Sequence, residues 1–480
     1  MLMDWGNLPL LPLRCVLGHL RTKDALAASS VCRHWRSALL MFGGRMDTLK
    51  LRVSDMDRSC FLTRVFRKQV KQIYIYIDSS PEDLQLFMSN VFTQFYDMKM
   101  IKEITFIGPI YLQEESYSPV FMLKRKTLES LPFNNLDSLV LMGCTVSPLE
   151  LIEKDEHMCL EKECDPLALS FNSVFTPSKD VNVDNATTAL SMLQNLTIEY
   201  DHVSSEVVTC LSHLKHFKYF NINITNKTNL KRKPLDWGNL NDLYPNGLNI
   251  CINMICVPES KFNKVMSNVL VEELPLKSMK VMFCKTLHLP LIKQLTNYYK
   301  KSLRELVWVD SPFDPIEDKE ILKAEVRDDS YAMFNMNPLV LLCWQCHQLQ
   351  RLVLHGYWIW HYDLVGCVRL RCLEQLDVSA VEVRETHYLR LRGGAPGHVL
   401  TTDTHGKLDR EILHHINKYM NVKWKPRTWR KLHRAVRGVA SHDDRVDFIL
   451  QEAKQTYSIV TMQMSKPSLD KIENYLLNWN

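Results

Sequence analysis

The feature that most restricts the fold is an apolar spacing that recurs through most of the chain, L-x-x-L-x-L with substitutions. The clearest copies are Leu136/Leu139/Leu141, Leu193/Leu196/Ile198, Leu349/Leu352/Leu354 and Leu373/Leu376/Val378. Weaker copies are Met46/Leu49/Leu51, Val70/Ile73/Ile75, Ile101/Ile104/Phe106, Phe217/Phe220/Ile222, Pro245/Leu248/Ile250, Leu276/Met279/Val281 and Leu303/Leu306/Trp308. The last two apolar positions of each copy are two residues apart, which suits a short strand with one buried face. Several adjacent copies fall about 21–35 residues apart, room for one strand and one covering helix. No unit of that size is stable alone, so the units must stack.

The repeat resembles a degenerate leucine-rich repeat. That resemblance implies an irregular α/β solenoid over residues 46–383. The copies lack the Asn that regular repeats carry after the strand, so irregular curvature is expected. Leu291–Lys301 has the periodicity of a covering helix, with Leu291, Leu295 and Tyr298 on one face, and Pro338–Leu349 reads as another. Two gaps exceed one period. One holds an acidic, Asn/Ser-rich insert at about residues 150–188, the other Asp310–Asn337, and both read as exposed loops. In such a solenoid, side chains between and just after the buried strand residues face the concave surface. These are Lys50, Tyr74, Tyr76, Thr105, Thr197, Glu199, Asn221, Asn223 and His355. Tyr74, Tyr76, Thr105, Glu199, Asn221 and His355 are the candidate substrate-binding residues, a polar and aromatic mixture suited to a peptide. The plainer reading is that they are solvated strand residues.

The first forty residues carry a second signal. Leu8-Pro9, Leu13, Val16-Leu17, Leu20 and Asp24 precede Ser30-Val31-Cys32-Arg33-His34-Trp35-Arg36. Pro9 and Pro12 stand where a first helical turn tolerates proline. Leu13, Val16, Leu17 and Leu20 share one helical face. Thr22 or Asp24 is placed to cap a second helix that carries Leu26, Ser30 and Val31 and ends near Trp35. A module this short cannot bury its apolar face alone. The order and spacing resemble an F-box over residues 1–45. The resemblance implies docking to a Skp adaptor, and through it to a cullin scaffold, by Leu8, Pro9, Leu13, Val16, Leu17, Leu20, Val31, Cys32 and Trp35. Three features depart from the family pattern. Leu11 stands where an acidic residue is common, Pro12 is unusual, and no downstream tryptophan matches. Farther on, Asn337-Pro338-Leu339-Val340-Leu341-Leu342-Cys343-Trp344, His355-Gly356-Tyr357 and Trp360 resemble the corresponding stretch of F-box proteins with degenerate leucine-rich repeats. The resemblance spans about residues 5–383 and is diffuse in the middle.

Composition narrows the function. A chain of 480 residues that is 46% hydrophobic and 24% charged has material for a substantial core. Its net charge of +5 does not by itself imply nucleic acid. Glycine is scarce, 15 residues, and no phosphate-binding or dinucleotide fingerprint is present. No apolar run is long enough to span a membrane, and no leader pattern opens the chain. The 14 cysteines are scattered, as in a reduced protein of the cytosol or nucleus. Nothing resembles a catalytic motif, so no catalytic residue, metal site or cofactor is expected.

Three motifs have bland readings. Cys343-Trp344-Gln345-Cys346-His347 spells a haem-attachment pattern, yet it lies in an apolar helical run, so the cysteines read as core. Adding Cys367 and Cys372 gives four thiols, but the spacing and a predicted buried strand argue against zinc. Leu389-Arg390-Leu391-Arg392-Gly393-Gly394 matches the end of ubiquitin, without a ubiquitin-like domain before it, and reads as a basic turn.

The C-terminal region, 384–480, is basic and partly helical. Lys423, Lys425, Arg427, Arg430, Lys431, Arg434 and Arg437 interleave with Trp424 and Trp429, and stretches 443–457 and 468–479 read as amphipathic helices. Such a region binds RNA in some proteins and is a solvated helix in more. The resemblance therefore implies a non-catalytic substrate receptor of an SCF-type ubiquitin ligase, recruiting a protein substrate. The alternatives are a non-degradative F-box scaffold and an RNA-associated protein using the basic tail.

Overall fold

The structure is a computed structural model. It describes residues 5–20, 22–42, 47–68, 70–95, 100–112, 121–123, 136–146, 192–212, 214–238, 240–244, 247–311, 313–314, 319–320, 337–357, 359–369, 373–379, 381–382, 399–400, 410–420, 423–427, 431–437 and 442–454. The expected insert at 150–188, the Leu389–Gly394 motif and the amphipathic stretch 468–479 lie outside the described residues.

A short 3-10 turn, Trp5–Asn7, leads into three helices, α1 (Leu10–His19), α2 (Thr22–Val31) and α3 (Arg33–Phe42). The expected second helix, running on to Trp35, is in fact two. The break falls at Cys32, whose Sγ accepts from the Trp35 backbone N–H at 3.4 Å. That bond satisfies one of the amides left open in the first turn of α3.

The chain divides into two compact units, the first of which includes these helices. In the first, parallel strands β1 (Thr48–Arg52), β2 (Gln72–Tyr76), β3 (Glu103–Ile107) and β4 (Ser138–Met142) pair in sequence order. Leu49, Ile73, Ile104 and Leu139 are in register, as are Leu51, Ile75, Phe106 and Leu141, and all eight are buried. Helices α4 (Met56–Phe66) and α5 (Pro81–Asn90) follow β1 and β2. Asp55 caps α4 through the Arg58 amide, and Ser80 and Asp83 form a capping box on α5 with Pro81 in its first turn.

The second unit continues the pattern. Strands β5 (Asn195–Glu199), β6 (Tyr219–Ile224), β7 (Asn249–Ile255), β8 (Leu276–Met282), β9 (Glu305–Val309), β10 (Arg351–His355) and β11 (Gln375–Val378) pair parallel in that order. Its longer helices are α6 (Ser205–Ser212), α7 (Phe262–Asn268), α8 (Leu289–Tyr298), α9 (Pro338–Gln345), α10 (His361–Arg369), α11 (Arg410–Met420) and α12 (His442–Lys454). Every expected repeat copy supplies apolar residues to one of these eleven strands. Each unit is thus a stretch of irregular leucine-rich-repeat solenoid. Small pairings sit beside the main strands, among them an antiparallel pair of Phe313–Asp314 with Lys319–Glu320.

Strand ends share one device. Gly143, Cys256, Phe283 and Gly356 each follow a strand directly and each has positive φ. The amides of Cys256 and Phe283 bond the Met282 and Val309 carbonyls, so the ladder extends by one residue before the chain turns. The acidic loop expected over Asp310–Asn337 begins and ends inside, because Asp310, Ser311 and Asn337 are buried. Asn337 caps α9 by accepting from the Leu339 amide at 2.9 Å. Cys343, Cys346 and Cys367 are buried, as expected of core thiols.

Candidate functional site

The N-terminal bundle sorts its apolar residues into two sets. Leu13 and Leu17 are buried, together with Ala28, Ala38 and Leu39 from the other helices. Leu8, Leu20, Cys32 and Trp35 are half-buried, and Pro9 is exposed. Leu10, Leu11, Val16 and Val31 are exposed, Leu11 and Val31 each at 70%. Of the nine expected docking residues, Leu13 and Leu17 therefore hold the bundle together, while Pro9, Val16 and Val31 face outward. The sequence reading missed Leu10 and Leu11, although Leu11 was visible as a departure from the family pattern. Bonds within the bundle fix these faces: His34 Nε2 lies 2.7 Å from the Leu8 carbonyl oxygen, and Arg36 Nε donates to the Ser29 carbonyl at 3.1 Å.

The second candidate surface is the strand face opposite the apolar rows. In the first unit it carries Lys50, Tyr74 and Thr105 in register, flanked by Thr48, Gln72 and Glu103. Lys50 is exposed, and Thr48, Gln72, Tyr74 and Glu103 are half-buried. Thr48 Oγ1 donates to Gln72 Oε1 at 2.8 Å, and Gln72 Nε2 to Glu103 Oε2 at 3.4 Å. Tyr76 and Thr105, expected on this surface, are buried instead. The guanidinium of Arg52 lies 5.0 Å from the centre of the Tyr76 ring and also pairs with Asp78 at 3.0 Å.

In the second unit the same face is closed. One row runs Thr197, Asn221, Cys251, Ser278, Glu305, Arg351, and the next runs Glu199, Asn223, Asn253, Lys280. All ten residues are buried. The reason is α12, which lies against β6 and β8 and carries Glu452 into the row. Lys280 Nζ is 3.6 Å from Glu305 and 4.0 Å from Glu452, and Arg351 pairs with Glu305 and, at 3.3 Å, with Glu452. Two cations and two anions thus neutralise one another out of water, the condition for tolerating buried charge. Burial works against the Glu452 charge, but Arg351 and Lys280 outweigh it and hold its carboxyl below the usual value. Burial likewise opposes the Arg351 charge, and Glu452 and Glu305 overcome it, raising its guanidinium above the ordinary arginine value. The expected open-surface residues Glu199 and Asn221 sit in the interior, and so does His355, whose Nε2 lies 3.6 Å from Asp377. No local pattern in the strands announces the helix that covers them.

The basic C-terminal stretch has a structural task. Lys423–Arg427 is not helical. The Arg427 amide bonds the Val378 carbonyl at 2.8 Å, and the buried Trp424 donates Nε1–H to the Leu376 carbonyl at 2.7 Å. Arg427 also pairs with Asp377 at 2.6 Å. The segment thus lines edge strand β11 and satisfies backbone groups that an open edge leaves bare. Trp424 has no face to offer a base. Lys423, Lys425, Lys431 and Arg434 remain exposed. No group of three or more metal-ligating residues occurs among the described residues, and no helix among them is long and apolar enough to cross a membrane.

Comparison with known proteins finds a match for the N-terminal helices. Residues 5–43 match the F-box domain. Over 51 residues the chain is 43% identical to human F-box only protein 33 and 49% identical to its mouse counterpart. Each match covers 11% of this chain, and 9% and 8% of the two relatives, so the chain spans less than a tenth of their length. Among solved structures, the crystal structure of an internalin (inlF) from Listeria monocytogenes aligns over 79% of this chain and 91% of its own, at 14% identity and a TM-score of 0.23.

Proposed function

We propose that this protein is a substrate receptor of an SCF-type ubiquitin ligase, docking a Skp adaptor through its F-box and holding a protein substrate on its solenoid. The observation that carries the reading is the outward apolar set Leu10, Leu11, Val16 and Val31 on a matched F-box domain. Four such side chains leave apolar surface in water on a small bundle, and covering Leu11 or Val31 contributes at most about 1.5–3 kcal/mol each, less for Leu10 and Val16, which are already more than half covered. Through the adaptor the receptor meets a cullin scaffold. Its contribution to rate is proximity: it raises the concentration of substrate lysines near a charged conjugating enzyme and performs no chemistry itself. The substrate face we favour is that of the first unit, around Lys50 and Tyr74, because α12 closes the corresponding face of the second. The scattered cysteines fit work in a reducing compartment, the cytosol or nucleus.

Co-purification tests the docking step. Full-length protein should retain Skp adaptor, and Leu11→Asp or Val31→Asp should lose it while leaving the circular dichroism spectrum unchanged. Leu17→Asp is a poor probe, because its burial makes loss of binding indistinguishable from loss of the bundle. Retention of adaptor by both surface variants, or none by the wild type, would overturn the docking assignment.

A further inference from the structure

Repeats in both units share a rim position, the residue whose backbone carbonyl receives the amide that leads into the next strand. In the first unit it is held by Asp47, Lys71, Lys102 and Asp137, linked in that order by bonds of 2.7–3.0 Å. Each cation there has a carboxylate: Lys71 pairs with Asp47 at 3.0 Å and Lys102 with Asp137 at 3.5 Å. In the second unit the same linkage joins Lys277, Arg304, Gln350 and Glu374. The charges are arranged differently. Gln350 Nε2 donates to Glu374 Oε1 at 3.0 Å, so that carboxylate serves an amide, and Lys277 and Arg304 stand side by side. Among the described residues no carboxylate pairs with either cation; Arg304 Nε donates instead to Gln348 Oε1 at 3.4 Å.

Two further features gather charge at this rim. Lys277 is the extra residue of a β-bulge: Leu276 and Ser278 pair with Ile250 and Cys251, which are consecutive in β7. A bulge re-aims a side chain, and this one brings a half-buried lysine to the rim while Ser278 keeps its place in the buried row. The exposed Lys300 and Lys301 follow α8, and the His347 amide bonds the Lys300 carbonyl at 3.2 Å. Like charges on neighbouring strands are unfavourable. Burial and the Arg304 charge both oppose the Lys277 charge and hold its ammonium below the usual lysine value. The first unit avoids that cost by pairing its cations; the second keeps it, and an anion from outside removes it.

The size of the strip selects the anion. Neighbouring strands lie about 5 Å apart, so a strip over β8 and β9 is about 10 Å wide. Gln350 and Glu374 bound it on one side and the uncharged Asn249 on the other, and the exposed Glu272 and Glu273 precede β8. Alternate residues of an extended peptide lie about 7 Å apart on one face, so two or three carboxylates fill the strip. A nucleic-acid strand needs a longer basic track and would run onto these glutamates.

We propose that the rim formed by Lys277, Lys300, Lys301 and Arg304 docks a short acidic segment of a partner protein in extended form. This surface is distinct from the F-box and from the face around Lys50 and Tyr74, and the assignment holds whether or not an adaptor docks.

The probe is a synthetic peptide with a run of glutamates between glycines, carrying an N-terminal fluorophore, and the protein is the full chain. Anisotropy in low-salt buffer should show binding that Lys277→Gln/Arg304→Gln weakens about tenfold or more, whereas Lys423→Gln/Lys425→Gln, which removes the same charge from exposed positions, changes it less than about twofold. The matching glutamine peptide should not bind. No binding of the glutamate peptide, or equal losses in the two variants, would overturn the proposal. So would tighter binding of a single-stranded RNA that is lost with Lys277 and Arg304, which would assign the rim to nucleic acid. Lysine acetylation of the wild type, read by mass spectrometry, does not depend on any variant folding. A peptide with a blocked N-terminus, at about four times its Kd, should slow modification of Lys277, Lys300 and Lys301 about fivefold and leave Lys423 and Lys425 unchanged. Protection spread evenly over both groups would show a general charge effect and no site.

Discussion

Arg351 on strand β10 and Glu452 on helix α12 are 101 residues apart in sequence and 3.3 Å apart in space. Their contact joins the strand ladder to the C-terminal helix and, with Lys280 and Glu305, turns what would be an open polar face into interior. Breaking one half of such a pair leaves the other half buried and uncompensated.

Arg351→Ala alone should therefore destabilise the second unit by about 3–5 kcal/mol, and Arg351→Met with Glu452→Met should cost less, because no unpaired charge remains. Urea unfolding followed by near-ultraviolet circular dichroism measures both. A double variant at least as damaged as the single one would show that the charges themselves, and not their pairing, hold the helix.

The edge segment gives a contrast between neighbours. Trp424→Ala removes a buried ring and its bond to the Leu376 carbonyl, and should cost about 3–5 kcal/mol. Lys425→Glu, on an exposed side chain, should stay within about 0.5 kcal/mol. Thermal melts of the two proteins separate a structural tail from a solvated one.

Two carboxylates, the half-buried Asp377 and the buried Asp310, set opposite pH slopes. Burial opposes the charge on Asp377, but the His355 hydrogen bond and charge and the Arg427 guanidinium overcome it and hold the carboxyl at about 2. A folded value below the ordinary 3.8 means stability that is present above about pH 4 and lost as pH falls toward 2, about 2 kcal/mol in all. Asp310 is the reverse: burial pushes it up to about 6, against bonds from the Lys285 and Ser311 amides and the Tyr357 hydroxyl. Its folded state holds a proton longer than the unfolded chain, so its contribution declines as pH rises from about 4 to about 6 and is flat beyond. Denaturant midpoints for Asp377→Asn should lose the acid-side slope, while Asp310→Asn should lose the decline between about pH 4 and 6.

Gly356 follows β10 with φ of 84°, and a Cβ there would lie 2.3 Å from the Asp310 carbonyl oxygen. Gly356→Ala meets both a disfavoured backbone region and a clash with main chain, and should cost more than about 1 kcal/mol. Gly247→Ala is the control: its φ is 75°, but nothing lies within 4 Å of the added carbon. A melting temperature lowered equally in both would assign the loss to backbone conformation alone.

How much of this was legible beforehand follows from the range of each interaction. The strand positions could be read because Leu352 and Leu354, or Ile73 and Ile75, declare a buried face within a few residues, and stacking repeats that demand at each copy. The N-terminal helices were readable for the same reason, except at Cys32, where a single thiol-to-amide bond divides one apparent helix into two. The split of the docking residues into Leu13 and Leu17 inside and Val16 and Val31 outside required the third helix, since one helical face does not say which neighbour covers which part of it.

The sequence alone determined that this chain must build a stack of parallel strands behind a short helical module, because apolar spacing is local and every unit repeats it. Tertiary structure alone decided which strand faces meet water. Asn195 reaches the Lys454 carbonyl across 259 residues and Asn253 reaches that of Ala453 across 200. Polar strand residues such as Asn253 and Lys280 look alike whether solvent or a distant helix lies over them; the packing of α12, whose carbonyls they bond, makes them interior.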